Sequence, residues 1–223
     1  MQTPIPNRAS AGRELAEQLQ HLQNREDVII LALPRGGVPI GFEIAKHLNV
    51  SLDLLVVRKL GVPSYPELAM GAIASGDVRV LNPQVLHSYA IKDADIKKVE
   101  NKERQELLRR EQAYRDIRPY PELNGKIVVL VDDGLATGAT MFAAIDAVKS
   151  LSPAKVIVAV PVAPPTTVMA LEQKVDQVVC PIQPENFSSL GEWYEDFSQV
   201  SDDEVTFLLA QAWHNEHAAQ NPF

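Results

Sequence analysis

The stretch from Val128 to Thr140 reads VVLVDDGLATGAT, and its order of parts decides the fold. A short apolar run ends in two carboxylates, Asp132 and Asp133. A tight turn punctuated by Gly134 and Gly138 follows, and a helical pattern begins at Ala139. The strand delivers both acids to the carboxyl edge of a sheet. Adjacent carboxylates there repel unless hydrogen-bond donors or a cation sit beside them. Sugar hydroxyls and a hydrated Mg2+ supply both. The glycines allow backbone conformations and close approaches that a Cβ blocks. Ala136, Thr137, Gly138, Ala139 and Thr140 then offer up to five N–H groups and two hydroxyls in one small concavity. A helix dipole adds to the pull on an anion. That combination suits a phosphorylated sugar.

Outward from this stretch, apolar β-branched runs recur at Val28–Leu33, Leu52–Val57, Ile127–Val131, Val156–Val162 and Val175–Ile182. They are nearly continuous rather than alternating, as in strands covered on both faces. Helical patterns lie between them, at Pro39–Leu48, Ala139–Leu151 and Thr166–Gln173. The alternation predicts an α/β fold, a mostly parallel twisted sheet flanked by helices. Ligands of such sheets bind beyond the carboxyl ends of the strands. Ala11–Leu22 carries Leu15, Leu19 and Leu22 on one face and reads as an amphipathic helix. From Asp93 to Arg118 charge dominates, and Ile96, Val99, Leu107, Tyr114 and Ile117 give only a thin apolar stripe. This is either a solvated surface helix or a hood or dimer arm over the site. Ser201–Glu204 is a capping box with Val200 and Val205 as its staple, so a helix is expected from Asp202 to about Trp213, with a fraying tail after His214. His214 and His217 stand on that end and are not read as a metal pair.

The 223 residues allow one or two domains, and no composition break divides them, so a single domain is expected over 1–223. It carries a charged helical insertion at about 92–118 and a C-terminal hood and helix at about 183–214. With 46% apolar and 22% charged residues the chain can build a full core and is not disordered. A net charge of −8 argues against a nucleic-acid surface, while leaving room for basic residues clustered around a small anion. The opening MQTPIPNRASAG is polar and lacks a leader pattern, and no apolar run approaches membrane-spanning length. The single Cys180 excludes an internal disulfide and reads as a buried, inert thiol in a reducing compartment. The expected location is the cytoplasm.

The Val128–Thr140 segment resembles the phosphoribosyl-pyrophosphate (PRPP) signature of the type I phosphoribosyltransferases: four apolar residues, two acids, then a loop ending in T-G-x-T, here Thr137-Gly138-Ala139-Thr140. The resemblance implies that Asp132 and Asp133 hold the ribose hydroxyls and, through water, Mg2+. It implies equally that Gly134 and Ala136–Thr140 hold the 5′-phosphate. Leu33-Pro34-Arg35-Gly36-Gly37 follows the first strand and resembles the family's pyrophosphate loop, with Arg35 as a fixed positive fork and Gly36 and Gly37 exposing N–H groups. Arg58 and Lys59 end a buried run and resemble the pair that meets pyrophosphate in adenine- and orotate-type members. Leu60–Ala72, LGVPSYPELAMGA, has no clear period and lies where the family keeps a mobile lid; Tyr65 and Glu67 are lid candidates.

Trp193 and Tyr194, in Phe187–Val200, are candidates to stack on a flat heterocycle, with core packing as the alternative. Together with LPRGG and VRKLG, this tail resembles a group of largely uncharacterised bacterial phosphoribosyltransferase-like proteins. The implied activity is Mg-dependent transfer of 5-phosphoribosyl from PRPP to a nitrogenous base with release of pyrophosphate, within nucleotide metabolism. Lys59, Arg58, Asp132 and Asp133 are the candidate catalytic residues. A homodimer is a family expectation. A non-catalytic PRPP-sensing regulator on the same fold is the alternative reading, and a PRPP-making kinase a more distant one. No segment matches the base-recognition residues of a particular purine or pyrimidine enzyme, so the acceptor is unassigned.

Overall fold

Strands β1 (Val28–Ala32) and β6 (Ile127–Val131) are buried at every position, and they form the centre of a parallel sheet. The computed structural model describes residues 1, 3–115 and 118–220, with 215–220 by backbone only. Helix α1 (Arg8–Gln18) precedes β1, and α2 (Gly37–Leu48) leads to β2 (Ser51–Leu54). Next come β3 (Val57–Val62), β4 (Tyr65–Ala74), β5 (Val78–Leu81), α3 (Pro83–Ser88) and the long α4 (Asp93–Arg115). After β6 the chain continues through α5 (Ala139–Lys149), β7 (Lys155–Ala159), α6 (Pro165–Glu172), β8 (Gln177–Val179) and α7 (Asp202–Gln220). The five-stranded sheet has the order β2-β1-β6-β7-β8, and every pairing in it is parallel.

The continuous apolar runs follow from cover on both faces. Ile30, Ala32, Val129 and Val131 join one buried cluster with residues of α1, α2 and α7. Their neighbours Ile29, Leu31, Val128 and Leu130 join a second cluster with residues of α5 and α6. Burying one such side chain contributes about 1.5–3 kcal/mol. The strand ends are flush: Ala32 pairs with Val131, Val131 with Ala159, and Ala159 with Val179. The loops leaving β1, β6 and β7 therefore emerge side by side, and the site is built there.

Several sequence boundaries shift. The run Leu52–Val57 does not form one strand. Leu55 still donates to Ala32 O, but Val56 N–H turns to Ser75 Oγ while Ser75 N–H returns to Val56 O. The chain leaves the central sheet there and enters an antiparallel sheet of order β3-β4-β5. Arg58 and Lys59 thus lie inside β3, opposite Ile73 and Ala72, rather than at the end of a central strand. Leu60–Ala72 is correspondingly a β-hairpin with irregular register around Gly61, not an aperiodic loop. Its prolines and glycines hid the alternation. The expected strands ending at Val162 and Ile182 stop at Ala159 and Val179, and only an isolated bridge joins Val162 to Ile182.

The N-terminal helix starts at Arg8, three residues ahead of expectation, because the Asn7 side chain accepts from Ser10 N–H as its cap. It ends at Gln18, and Gln20–Leu22 forms a tighter 3-10 turn. At the other terminus Ser201 Oγ accepts from Glu204 N–H at 3.1 Å, and the staple residues Val200 and Val205 are both buried. That helix runs to Gln220 rather than ending near Trp213; the side chain of His217 lies outside the described residues. Helix α4 buries Ile96, Leu107 and Tyr114 of the expected stripe, and Ile117 lies outside the described residues.

A buried ion pair fastens α4 to the sheet. Arg115 donates to both carboxylate oxygens of Asp53 in β2 and to Pro119 O. Burial pushes the Asp53 carboxyl up, and Arg115 opposes that shift. Such a pair fixes an arrangement more than it adds stability.

Cys180 is buried, and burial pushes its thiol up to about 12. At pH 8 a thiol-reactive dye should label the native protein at least about a hundredfold more slowly than the denatured chain. Equal rates would place Cys180 at an accessible, activated position.

Candidate active site

The carboxyl edge of β6 carries the two acids. Asp132 is half-buried, and its Oδ1 accepts the N–H of Asp133 at 2.9 Å. Asp133 is held from two directions. Its Oδ2 receives Arg8 Nε at 2.9 Å and an Arg8 terminal nitrogen at 2.8 Å, and its carbonyl accepts the Tyr194 hydroxyl at 2.7 Å. Burial and then the neighbouring Asp133 charge push the Asp132 carboxyl well above the usual range. Burial also raises Asp133, while Arg8 pulls it back. Two acids this close in a shielded place repel one another, a repulsion that donors or a cation brought by a ligand would relieve.

Beyond the acids the chain curls. Leu135 N–H reaches Val162 O at 2.9 Å, and Thr167 Oγ1 donates to Ala136 O at 2.8 Å. Gly138 adopts φ 71°, a left-handed conformation that favours glycine, and α5 begins at the next residue. Ala136, Thr137, Ala139 and Thr140 are exposed. Among the described residues the N–H groups of Ala136, Thr137, Gly138 and Thr140 have no protein acceptor. Unspent donors at a helix N-terminus form an anion cradle.

The loop from β1 lies directly against the acids. Leu33 N–H bonds Val131 O, Gly37 N–H bonds Leu33 O, and the Pro34–Arg35 peptide is cis. At Gly36 a Cβ would fall 2.0 Å from Asp133 Oδ2, so only glycine fits this approach. Gly37 opens α2. Arg35 turns toward the start of α7, with a terminal nitrogen 3.7 Å from Asp202 Oδ1.

The hairpin supplies the other two cations. Arg58 Nε donates to Glu103 of α4 at 2.8 Å, and a second nitrogen lies 2.5 Å from the same oxygen. Lys59 Nζ donates to Glu67 O at 3.1 Å and lies 3.3 Å from its carboxylate. A cleft of about 430 Å3 opens between the hairpin, α4 and the start of α5, and Arg58, Lys59, Lys102, Glu103 and Thr140 share its lining. Arg58 and Lys59 thus share a cleft with Thr140, the last residue of the turn, while Arg35 is not part of this lining. Of the lid candidates, Tyr65 is exposed and meets Tyr89 edge-on at 5.9 Å, and Glu67 is fully exposed beside Lys59.

The two aromatic candidates part company. Tyr194 is only 6% exposed, its ring packs 4.9 Å from Phe197, and its hydroxyl braces Asp133. It has no open face for a heterocycle, so the stacking role expected of it is corrected to a structural one. Trp193 is part-buried, and its Nε1 has no partner among the described residues. Gly134, at φ 144°, lies under Leu190 and Val162. Arg8, Glu103 and Asp202, which pair with Asp133, Arg58 and Arg35, are partners of the candidate residues that the sequence did not point to.

This arrangement belongs to a known class. The sequence profile of the phosphoribosyl transferase domain matches residues 3–198, and the chain belongs to that family. It is 46% identical over 212 residues to a Mycobacterium tuberculosis protein named "Putative phosphoribosyl transferase Rv0571c". That match covers 95% of this chain and 47% of the relative, so the chain spans about half the length of the curated relatives it matches. Among solved structures it resembles TT1426 from Thermus thermophilus, with TM-score 0.86 and 40% identity over 93% of this chain and 98% of that one. AQ2163 from Aquifex aeolicus shares the fold at TM-score 0.50 and 16% identity, over 82% and 78% of the two chains. The family and the mostly parallel sheet flanked by helices agree with the sequence reading, whereas the small antiparallel sheet was not foreseen. Among the described residues no helix is long and apolar enough to cross a membrane.

Proposed function

We propose that the protein, acting as a single domain over 1–223, transfers the 5-phosphoribosyl group of PRPP to a nitrogenous base and releases pyrophosphate. The observation that supports this reading best is the acid pair at the flush carboxyl edge, followed directly by a turn of unspent amides, with Arg58 and Lys59 of the hairpin sharing a cleft with Thr140 at the end of that turn. The N–H groups of Ala136–Thr140 would take the 5′-phosphate, and Asp132 and Asp133 the ribose hydroxyls. Arg35, Arg58, Lys59 and the N–H groups of Gly36 and Gly37 would face the pyrophosphate.

In the reaction the C1–O bond breaks, its electron pair leaves with pyrophosphate, and the acceptor nitrogen's lone pair forms the new C1–N bond. Positive charge grows on the ribose as in glycosyl hydrolysis. The acids lie on its hydroxyl side and the cations stabilise the departing group. No side chain needs to act as a nucleophile.

Among the described residues no cluster of three or more His, Cys, Asp or Glu side chains is placed to enclose a metal. The adjacent Asp132 and Asp133 carboxylates are a donor set that fits Mg2+, which binds through one or two carboxylates together with substrate phosphates. Asp132 and Asp133 would hold it through water. When bound, Mg2+ would neutralise diphosphate charge.

Lys59→Ala should lower kcat by about tenfold to a hundredfold while changing PRPP affinity less than about threefold, because its contact strengthens as charge builds on the leaving group. Parallel loss of affinity and rate in single-turnover assays would make Lys59 a binding residue only. The activity itself is tested by incubating Mg·PRPP with a panel of nucleobases and other nitrogen heterocycles and measuring pyrophosphate. Release with one acceptor class supports the transferase. Saturable PRPP binding without turnover by any acceptor favours the sensing regulator.

A further inference from the structure

Arg8 reaches the acidic pair from the first turn of α1, and the rest of the site gives it no other task. Its side chain is 11% exposed and that of Asp133 13%. Two guanidinium nitrogens converge on Asp133 Oδ2, while the third donates to Ser198 O at 2.7 Å. The guanidinium carbon lies 4.1 Å from the Phe197 ring centroid. Tyr194, three residues before Phe197 in the same segment, braces the Asp133 carbonyl. The cation is thus fixed by three independent attachments.

We propose that Arg8 is the resident cation of the Asp132–Asp133 pair: it occupies Asp133 Oδ2, where a divalent ion would otherwise bridge the two carboxylates. The free protein then takes no divalent metal on these acids. One carboxylate oxygen is engaged by a permanent charge, so the pair presents too little free charge to strip water from a hard cation. The proposal rests on the assignment of these acids to the sugar and metal side of the site, but not on turnover.

Mn2+ serves as the paramagnetic probe, titrated into the full chain without PRPP. The parent should show no saturable uptake below about 1 mM. Arg8→Ala should gain one site at least about tenfold tighter, because removing the guanidinium frees Asp133 Oδ2 and leaves two adjacent acids without a counterion. Adding Asp133→Asn should abolish the gained site, and Arg8→Lys should behave like the parent. A merely structural role for Arg8 would weaken the fold and create no metal site. Sub-millimolar uptake by the parent that disappears in Asp132→Asn/Asp133→Asn overturns the proposal. So does a folded Arg8→Ala that gains nothing. If Arg8→Ala does not fold, Arg8→Gln replaces it, and the parent titration still decides. Mn2+ with PRPP forms a separate arm: no binding there removes the proposed function and leaves the gain in Arg8→Ala to be judged alone.

Discussion

Asp132→Asn is expected to produce a protein that is more stable than the parent and that has lost its ligand. Burial and the Asp133 charge raise the Asp132 carboxyl well above its ordinary value. Below about pH 4 the group is protonated in both folded and unfolded chains, and the fold gains nothing from the substitution. As pH rises, the unfolded chain releases the proton while the folded chain resists. Each further unit then costs the parent stability that the amide variant keeps. The melting temperature of Asp132→Asn should therefore match the parent at acid pH and exceed it by about 2–5 °C near pH 7.5, measured without metal. Affinity should move the other way. An amide cannot match a carboxylate as acceptor for two vicinal hydroxyls, and Asp132→Asn with Asp133→Asn should weaken Mg·PRPP binding by at least about a hundredfold in calorimetry. Unchanged affinity would remove the pair from the sugar site. The double variant is not expected to be more stable, because Asp133→Asn leaves Arg8 with a buried charge and no counterion.

Gly36→Ala should be nearly as damaging to binding through one methyl group. Its Cβ would stand 2.0 Å from Asp133 Oδ2 and 2.4 Å from Cγ. The Asp133 side chain cannot swing freely, because Arg8 holds that oxygen and Tyr194 holds the backbone behind it. Either the Arg8 pair breaks and Asp133 is displaced, or the β1 loop lifts away from β6, and each changes the spacing between the acids and the loop proposed to meet pyrophosphate. Overpacking of this kind costs about 1–3 kcal/mol. We expect a folded protein with a lowered melting temperature and PRPP affinity reduced by at least about tenfold. Parent-like affinity would mean that the two loops do not act together on one ligand.

What was legible in the sequence was local. Strand, acids, turn and helix of the β6 segment are contiguous, so their spacing alone indicated the turn and the helix start at Ala139, and the structure adds the left-handed conformation of Gly138. The central strands were legible because both their faces are buried, although their ends were read too long where single bridges replace ladders. The hairpin was misread because Pro63, Pro66, Gly61 and Gly71 interrupt its alternation, and because the switch of sheets at Val56 depends on Ser75, far along the chain. The partners of the site residues were not legible at all. Arg8 and Asp133 are separated by 125 positions, and Arg58 and Glu103 by 45. An arginine beside a helix cap and a glutamate among many on a charged helix carry no pattern of their own. Tyr194 shows the same limit: an aromatic residue near a site reads as a platform until its hydroxyl is seen bonded inside.

In the proposed complex the Ala136–Thr140 amides grip the terminal phosphate of a sugar whose hydroxyls meet the acid pair. Backbone amide NMR during titration with Mg·PRPP tests it most directly. Saturable shifts are expected at Ala136, Thr137, Gly138 and Thr140 together with Asp132 and Asp133, reproduced in part by ribose 5-phosphate. Saturable binding that leaves those amides unmoved, or no binding at millimolar PRPP, would contradict it.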